Sequence, residues 1–341
     1  MTTTWLFEFF HELRDGAARR DPVRIGAHFD AYLELWQRAE ARGIDGIFFS
    51  EHHFGAGYSP SPNLLVSALA QRTSSLRLGV LGTVGPYATP WRVVEEFAML
   101  DHLTHGRMEM GIVSGIPPEF LSAGLPIPEM MERHAEVCAV LDAARSGEPV
   151  THHGLHWAFD ALRFLPPFRT QNPPIWTAVR TEESARKAAR RGWKICTGFN
   201  SIANLAGICA AYREEAEAAG HEVGPDHIGV RRMVTFLDPG EARRDGILRA
   251  KGALLDVLNT SVGPLPPFAA ILDRPDEDSE MLSNDEFVTG TPAQVAEQLA
   301  HQAAELGAGH VMVMFSDIDL ADLDTAQETF AGEVVPVLHG S

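Results

Sequence analysis

The amino-acid sequence predicts an α/β protein, a single (β/α)8 TIM barrel with insertions after strands 4 and 7. Two observations support this prediction. Short apolar runs alternate with amphipathic stretches of helical length through the whole chain, which indicates parallel strands with helices outside them. No G-x-G-x-x-G motif follows the first strand, so the usual sign of a doubly wound dinucleotide-binding sheet is missing. Barrels of this kind reach 341 residues as one unit, so residues 1–341 are predicted to form one domain.

The first four strand–helix pairs are regular. The strand-length apolar runs are TWLFEFF, IDGIFFS, LRLGVLGTV and RMEMGIVSG. Apolar residues at helical spacing follow in HFDAYLELWQRAEARG, SPNLLVSALAQRT, TPWRVVEEFAMLDHLTHG and EMMERHAEVCAVLDAARSG. Gly43 is expected to end the first of these helices. A Pro-rich loop separates the fourth strand from its helix, so residues 115–130 are predicted to be an insertion.

The second half repeats the pattern with two interruptions. The alternating stretch EPVTHHGLHWAFDALRF, followed by prolines, predicts a hairpin. The strands are then PIWTAV, WKICTGF, HIGVRRMVTFLD and HVMVMFSD, and the helices TEESARKAARRG, SIANLAGICAAYREEAEAAG, TPAQVAEQLAHQAAELG and LADLDTAQETFAGEVVPVLHG. Residues 239–286 are irregular and rich in Pro, Asp and Glu, with one helical piece near DGILRAKGALLDVLN. They are predicted to be the second insertion.

The composition excludes several classes of partner. Lys and Arg number 28 against 46 Asp and Glu, a formal charge of -18, which disfavours nucleic acid and anionic lipid as partners. No run approaches the roughly 20 apolar residues of a membrane-spanning helix, and the N-terminus does not resemble a secretory leader. The three cysteines, without C-x-x-C spacing, are predicted to be reduced core residues of a cytoplasmic protein: Cys138, Cys196 and Cys209.

The stretch EHHF, residues 51–54, directly follows the second strand, where a barrel carries its functional groups. Three interpretations of His52 and His53 are open. They can bond loop carbonyl groups, they can bind a metal, or one can be a neutral imidazole that transfers protons beside a cofactor. A metal needs a third ligand, and the candidates lie in the predicted exposed hairpin, so no metal site is predicted: His152, His153 and His156.

Three further strand ends are candidates for ligand binding. Gly79, Gly82 and Gly85 would let a flat ligand approach the third strand, although a bulge or tight bend is the better explanation of the glycines alone. The fourth strand ends in Val113, Ser114 and another glycine, which are small groups at the mouth, and Ser114 does not have G-x-S-x-G spacing. After the fifth strand, Thr181 and Ser184 begin a helix whose N-terminus can bind an anion, or Thr181 is an ordinary N-cap.

Together these stretches resemble the bacterial luciferase-like flavin-dependent monooxygenase family. The ordered match runs from GIDGIFFSEHHF through ATPWRVVEEFAMLDHLTHGRMEMGIVSG to PPIWTAVRTEESARKAARRGW and the closing TPAQVAEQLAHQAAELGAGHVMVMF. It spans nearly the whole chain and is weakest in residues 239–286. The resemblance implies a barrel that holds reduced FMN in its mouth.

The resemblance also implies roles for particular residues. His52 matches a histidine that influences the flavin hydroperoxide, and Leu81-Gly82 matches a non-prolyl cis peptide beside the flavin. Val113 stands where luciferases have a cysteine at the reactive flavin edge, a departure that argues against light emission, with Ser114 next to it. The residues expected at the phosphate are Thr181, Ser184 and His134, the last in place of a tyrosine found in many relatives.

The implied reaction is oxygenation of a small organic substrate by O2 through a flavin C4a-peroxide. A separate flavin reductase supplies reduced FMN as cosubstrate, and a homodimer is expected, with helices 62–73 and 89–104 apolar enough to permit it. Phe7, Phe9 and Phe10 either line an apolar substrate pocket or belong to the strand-one core. Two alternatives stay open: a deazaflavin-dependent oxidoreductase on the same barrel, and a non-catalytic flavin-binding protein. The EHHF stretch favours FMN.

Overall fold

Eight parallel strands close into a barrel with helices around it, so the predicted fold class is confirmed. The computed structural model describes residues 2–13, 15–55, 57–238, 240–262, 282–316 and 319–340. Its strands are β1 (Thr3–Glu8), β2 (Gly46–Phe49), β3 (Arg77–Val80), β4 (Thr83–Val84), β5 (Met108–Val113), β6 (Val150–His153), β7 (Ala158–Leu162), β8 (Ile175–Val179), β9 (Lys194–Thr197), β10 (Ile228–Phe236), β11 (Phe287–Gly290) and β12 (His310–Phe315). The order around the barrel is β1-β2-β3-β5-β8-β9-β10-β12, and β12 pairs with β1.

The helices follow the strands in the predicted alternation. They are α1 (Pro22–Ala41), α2 (Pro62–Ala70), α3 (Pro90–Leu103), α4 (Pro117–Ser122), α5 (Ile127–Ala144), α6 (Glu182–Arg190), α7 (Ile202–Ala218), α8 (Arg243–Val262), α9 (Pro292–Leu306), α10 (Leu320–Thr329) and α11 (Val335–Gly340), with a π-helical turn, Phe330–Val334, between the last two. α1 begins earlier than the hydrophobic spacing indicates, because Asp21 caps it and Pro22 occupies the first turn. No helix in the described ranges combines the length and apolar character needed to cross a membrane.

The inside of the barrel is a packed core below its mouth. Trp5, Phe48 and Trp176 fill it, with their rings in contact and fully buried. A Cβ atom at Gly79 would overlap the ring of Phe48. The glycine at this position is therefore required by core packing, and the ligand-approach interpretation is wrong for Gly79.

Two details of the sheet differ from the sequence prediction. The third strand is not continuous, because β3 ends at Val80 and the two-residue β4 resumes after a cis peptide bond. A further parallel strand, β11, pairs with the last four residues of β10. β9 pairs only with the first three residues of the nine-residue β10, so the remainder of that edge is left for β11 to occupy.

The structure describes the predicted hairpin, the first predicted insertion and part of the second. The hairpin is confirmed, because β6 and β7 pair antiparallel. The insertion predicted at 115–130 holds the short helix α4 and the beginning of α5. In the second predicted insertion, 239–286, the described parts are helical: α8, and a 3-10 turn at Asn284–Glu286. Residues 263–281 lie outside the described residues.

Candidate functional site

A cavity of about 1180 Å³ opens where the barrel strands run into their following loops. It is lined by residues that follow β2, β3, β5, β8 and β9, with α4, α5 and α6 at its rim. The eight residues to which the resemblance gives roles all line this one cavity: His52, Leu81, Gly82, Val113, Ser114, His134, Thr181 and Ser184. Residues from distant parts of the chain are therefore brought to a single place.

His52 is held by a carboxylate. Its Nδ1 lies 3.0 Å from Oε1 of Glu119, a side chain on α4 that is only 2% exposed. The ring of Phe9 stacks on the imidazole, with centroids 5.0 Å apart. Because Glu119 occupies Nδ1, Nε2 is the ring nitrogen left for a ligand in the cavity. Bonding to loop carbonyls, the first interpretation, does not describe His52.

His53 forms a second carboxylate–imidazole pair beside the first. Its Nε2 lies 3.0 Å from Oε1 of Glu51, and the hydrogen bond to Glu51 raises the pKa of His53. The other oxygen of Glu51 accepts a hydrogen bond from the backbone N–H of Val84 at 3.1 Å. His53 does not line the cavity, so only the first histidine of the pair reaches it. Glu51 therefore joins the loop after β2 to β4.

The floor of the cavity beside this pair is apolar and closely packed. The peptide bond between Leu81 and Gly82 is cis, as the resemblance implies. A Cβ atom at Gly82 would lie 3.0 Å from Cγ1 of Val113 and from the backbone of β5, so the two strand ends approach closely. Leu81, Gly82, Val113 and Ser114 thus form a surface of small and aliphatic groups that suits a flat ring.

The N-terminus of α6 forms another wall. Thr181 is its N-cap: the hydroxyl accepts a hydrogen bond from Ser184 N at 3.2 Å, and Ser184 Oγ accepts one from Thr181 N at 3.2 Å. The N-cap interpretation therefore holds, and the same turn lines the cavity. The cavity lining also includes four basic side chains, which run from the residue before the N-cap to the C-terminal end of α6: Arg180, Lys187, Arg190 and Arg191. Helix dipole and side-chain charge together make this wall suitable for an anion.

His134 lies on the same wall in its neutral form. Burial, together with the nearby charge of Arg191, lowers the pKa of His134 to about 4. Its Nε2 lies 3.5 Å from Sγ of Cys138, and a Cβ atom at Gly85 would lie 3.3 Å from its Nδ1. A neutral imidazole can still donate one hydrogen bond to an anion.

Some of the cysteines and phenylalanines considered in the sequence analysis line the cavity, and others do not. All three cysteines are buried and unpaired, as predicted, and two of them line the cavity with thiols whose pKa burial raises to about 12: Cys138 and Cys196. Phe7 and Phe9 line the cavity, whereas Phe10 is fully buried against His28 in the core outside the barrel. The pocket interpretation is therefore correct for two of the three phenylalanines.

The hairpin histidines do not converge. His152 lies 3.0 Å from Glu136. The other two have carboxylate partners of their own, at 2.8 and 3.2 Å: His153 with Asp160, and His156 with Glu132. Within the described ranges, no group of three or more His, Cys, Asp or Glu side chains could hold a metal ion.

Sequence reasoning missed several lining residues. Glu119 lies in a proline-rich stretch that has no periodic signal, and Arg191, at the C-terminal end of α6, belongs to no motif. Arg231 did have a signal. It is one of two consecutive arginines inside an apolar strand, an expensive place for charge unless it is paired or used.

Comparison with known sequences identifies relatives over most of the chain. A model of the luciferase-like monooxygenase family matches residues 1–310. The uncharacterized protein y4wF of Sinorhizobium fredii is 33% identical over 86% of this chain and 87% of its own. The oxygenase component of a flavin-dependent trigonelline monooxygenase from Acinetobacter baylyi is 30% identical over 49% and 48%. An F420-dependent glucose-6-phosphate dehydrogenase from Beutenbergia cavernae is 29% identical over 88% and 91%.

Solved structures share the fold. The monooxygenase RslO1 from Streptomyces bottropensis superposes with a TM-score of 0.83 at 22% identity, covering 99% of this chain and 100% of its own. The oxygenating constituent of 3,6-diketocamphane monooxygenase from Pseudomonas putida, solved in complex with FMN, gives 0.74 at 22% identity and covers 99% and 98%.

Proposed function

Because the chain belongs to the luciferase-like monooxygenase family, we propose that it is a flavin-dependent monooxygenase that uses reduced FMN and O2 to oxygenate a small organic substrate. One observation carries the proposal. The eight predicted site residues line a single cavity that has an apolar floor and a basic wall, which are the two surfaces that FMN requires.

The cavity fits FMN in size and in chemistry. At about 1180 Å³ it exceeds the roughly 300–1,000 Å³ usual for a small-molecule pocket, so a second molecule has room beside the cofactor. Thr181, Ser184 and neutral His134 would hold the phosphate at the N-terminus of α6. Leu81, Gly82, Val113 and Ser114 would hold the isoalloxazine ring on the floor. Bound reduced FMN supplies the electrons that activate O2.

His52 is the group of this chain assigned to proton handling. Glu119 fixes its ring through Nδ1, so a proton is held or moved at Nε2, the nitrogen directed to ligands. Phe9 shields one face of the imidazole, and together with Phe7 it excludes water from that side of the cavity.

The proposal includes two protein partners. A separate flavin reductase supplies reduced FMN, in keeping with the relative that is an oxygenase component. The second partner is another copy of the chain. Helices α2 and α3 expose large apolar side chains, among them Leu64 at 71% and Met99 at 52%, which suits a homodimer interface. The buried, unpaired cysteines are consistent with a cytoplasmic protein.

One other function has a specific observation in its favour. The relative from Beutenbergia cavernae is F420-dependent and matches over most of its length, so hydride transfer with a deazaflavin on the same barrel is the second candidate. A non-catalytic flavin-binding protein is the third, and the paired His52 and Glu119 argue against it, because storage of flavin needs no oriented imidazole.

Cofactor titration and coupled turnover test the proposal together. We expect tight binding of reduced FMN and weak binding of F420, read by absorbance and fluorescence. With NADH, FMN, a flavin reductase and a panel of ketones and aldehydes, we expect His52→Ala to lower product formed per O2 consumed and to increase H2O2 release. His53→Ala, whose ring does not line the cavity, is the control and should have the smaller effect. Preferential binding of F420, or unchanged coupling in His52→Ala, would refute the FMN assignment or the role of His52.

A further inference from the structure

The cavity wall opposite the proposed flavin site carries a buried positive charge. Arg231 on β10 is 5% exposed and lines the cavity. In the barrel order, β10 is four strands away from β3, so Arg231 and the Leu81–Gly82 floor lie across the barrel from each other. The proposed phosphate site is the first turn of α6, and Arg231 is not part of it.

The carboxylates around Arg231 do not satisfy it. Glu286 bonds to Arg231, and its other oxygen accepts hydrogen bonds from Arg232 Nη1 at 3.1 Å and from Phe199 N at 2.7 Å. The next carboxylate, Asp285, accepts from the backbone N–H of Ile202. Across the part of the chain that the structure describes, Arg231 Nη1 has no hydrogen-bond partner. Arg231 and Arg232 thus share the single carboxylate of Glu286, so positive charge is left over on this wall.

The wall around Arg231 is shaped by an unusual residue. Phe199 has a positive φ of 65°, a conformation that is uncommon for non-glycine residues. Its ring lies 4.0 Å from the guanidinium carbon of Arg231 and 5.5 Å from that of Arg180. A Cβ atom at Gly198 would lie 3.1 Å from Arg231 Nη2, so the glycine leaves room for the guanidinium. Positive charge and aromatic surface are thus combined on one wall.

We propose that Arg231 forms an anion subsite and that the substrate is an apolar molecule that carries a carboxylate. A guanidinium matches a carboxylate in shape as well as charge. Phe7, Phe9 and Phe199 supply apolar surface for the rest of the substrate. The inference rests on the proposed function, because it takes the flavin to occupy the opposite side of the cavity. In this arrangement Arg231 is a specificity-determining residue, since it orients the substrate by its acid group.

Matched pairs of probes test the subsite without knowledge of the substrate. Calorimetric titration of the full chain, with and without FMN, would compare benzoate, phenylacetate and 4-phenylbutanoate with their primary amides. We expect at least one acid to bind about tenfold or more tightly than its amide, the effect of one charge-assisted pair. Arg231→Met should abolish this preference and leave FMN affinity unchanged. Thr181→Ala, at the proposed phosphate site, should weaken FMN and retain the preference.

The outcomes separate the subsite from the cofactor assignment. Equal binding of acid and amide by the wild-type protein in all three pairs would overturn the subsite, and this result needs no variant to fold. Retention of the preference in Arg231→Met would also overturn it, as would a loss of FMN affinity equal to that of Thr181→Ala, because the charge would then serve the flavin. A protein that prefers acids but does not bind FMN would refute the proposed function and support the subsite.

Discussion

Glu8, at the end of β1, is a buried carboxyl group close to the mouth but absent from the cavity lining. Burial raises its pKa to about 8, and Gln327 Nε2 donates a hydrogen bond to its Oε1 at 3.3 Å. The pKa in the folded state is above that of the unfolded chain, 4.5, so folding favours the protonated form. The stability that depends on this proton is complete below about pH 4.5 and is lost as the pH rises to about 8.

Replacing this residue should flatten the pH dependence of stability. We expect Glu8→Gln to be more stable than the wild-type protein at pH 8, by more than about 1 kcal/mol since one pKa unit corresponds to about 1.4 kcal/mol, and the difference to shrink toward pH 5. Urea denaturation at several pH values measures it. Glu328→Gln, on the exposed face of α10, is the control and should follow the wild-type curve. Parallel curves for Glu8→Gln and the wild type would contradict the assignment.

Single residues also show what the sequence can predict about the site. His52 could be identified because its motif stands at a strand end, where a polar pair is conspicuous against an apolar run. Its partner Glu119 could not, because the contact spans 67 positions and depends on the path of a proline-rich loop. For Arg231, the sequence showed an arginine inside an apolar strand, but it did not show that this side chain lines the cavity.

Among the elements, α6 is proposed to combine a structural and a binding role at its first turn. Thr181 caps the helix, and the same turn contributes to the cavity wall. The sequence allowed two interpretations of this turn, an N-cap and an anion site; the N-cap is confirmed, and the anion site stays a prediction. β11 was missed for a different reason. Its four residues precede a strong capping box at Thr291, and nothing local indicates that β10 is long enough to leave an unpaired edge.

The two roles of Thr181 can be separated with a second N-cap. Thr181→Ala and Ser201→Ala each remove a capping hydroxyl, the latter at α7 and outside the cavity lining, and each should cost about 1 kcal/mol of stability. Only Thr181→Ala should also weaken FMN, by about tenfold, with riboflavin affinity unchanged, because the lost contact is to the phosphate. Flavin fluorescence titration measures both ligands. An equal loss for riboflavin would show that Thr181 does not contact the phosphate.

For the whole molecule, the alternation of strands and helices was sufficient to predict the closed barrel, because eight consecutive pairs admit few other arrangements. The loops and short helices around the mouth of the barrel were predicted less well. The loops that follow the strands differ in length and have no period, so the position of α4 over His52 follows from packing alone. The outer surface of the barrel gives one further expectation, since α2 and α3 leave apolar side chains uncovered.

A homodimer through α2 and α3 should dissociate when those side chains become charged. We expect the wild-type protein to elute as a dimer in light-scattering chromatography and Leu64→Glu combined with Met99→Glu to elute as a monomer. A stable interface buries about 1,600 Å² and does not tolerate two unpaired charges. Val23→Glu, on α1 and 78% exposed, is the control and should remain a dimer. A monomeric wild type at micromolar concentration would exclude this interface.

The basic side chains of the cavity stand inside a chain whose formal net charge is -18. Phosphate-bearing or acidic molecules are therefore repelled at a distance and attracted only after they have entered the mouth. Dissolved salt shortens the reach of that repulsion to about 10 Å at 0.1 M. We therefore expect loading of the cavity with the proposed ligands to become faster as ionic strength rises, the reverse of the usual steering between opposite charges.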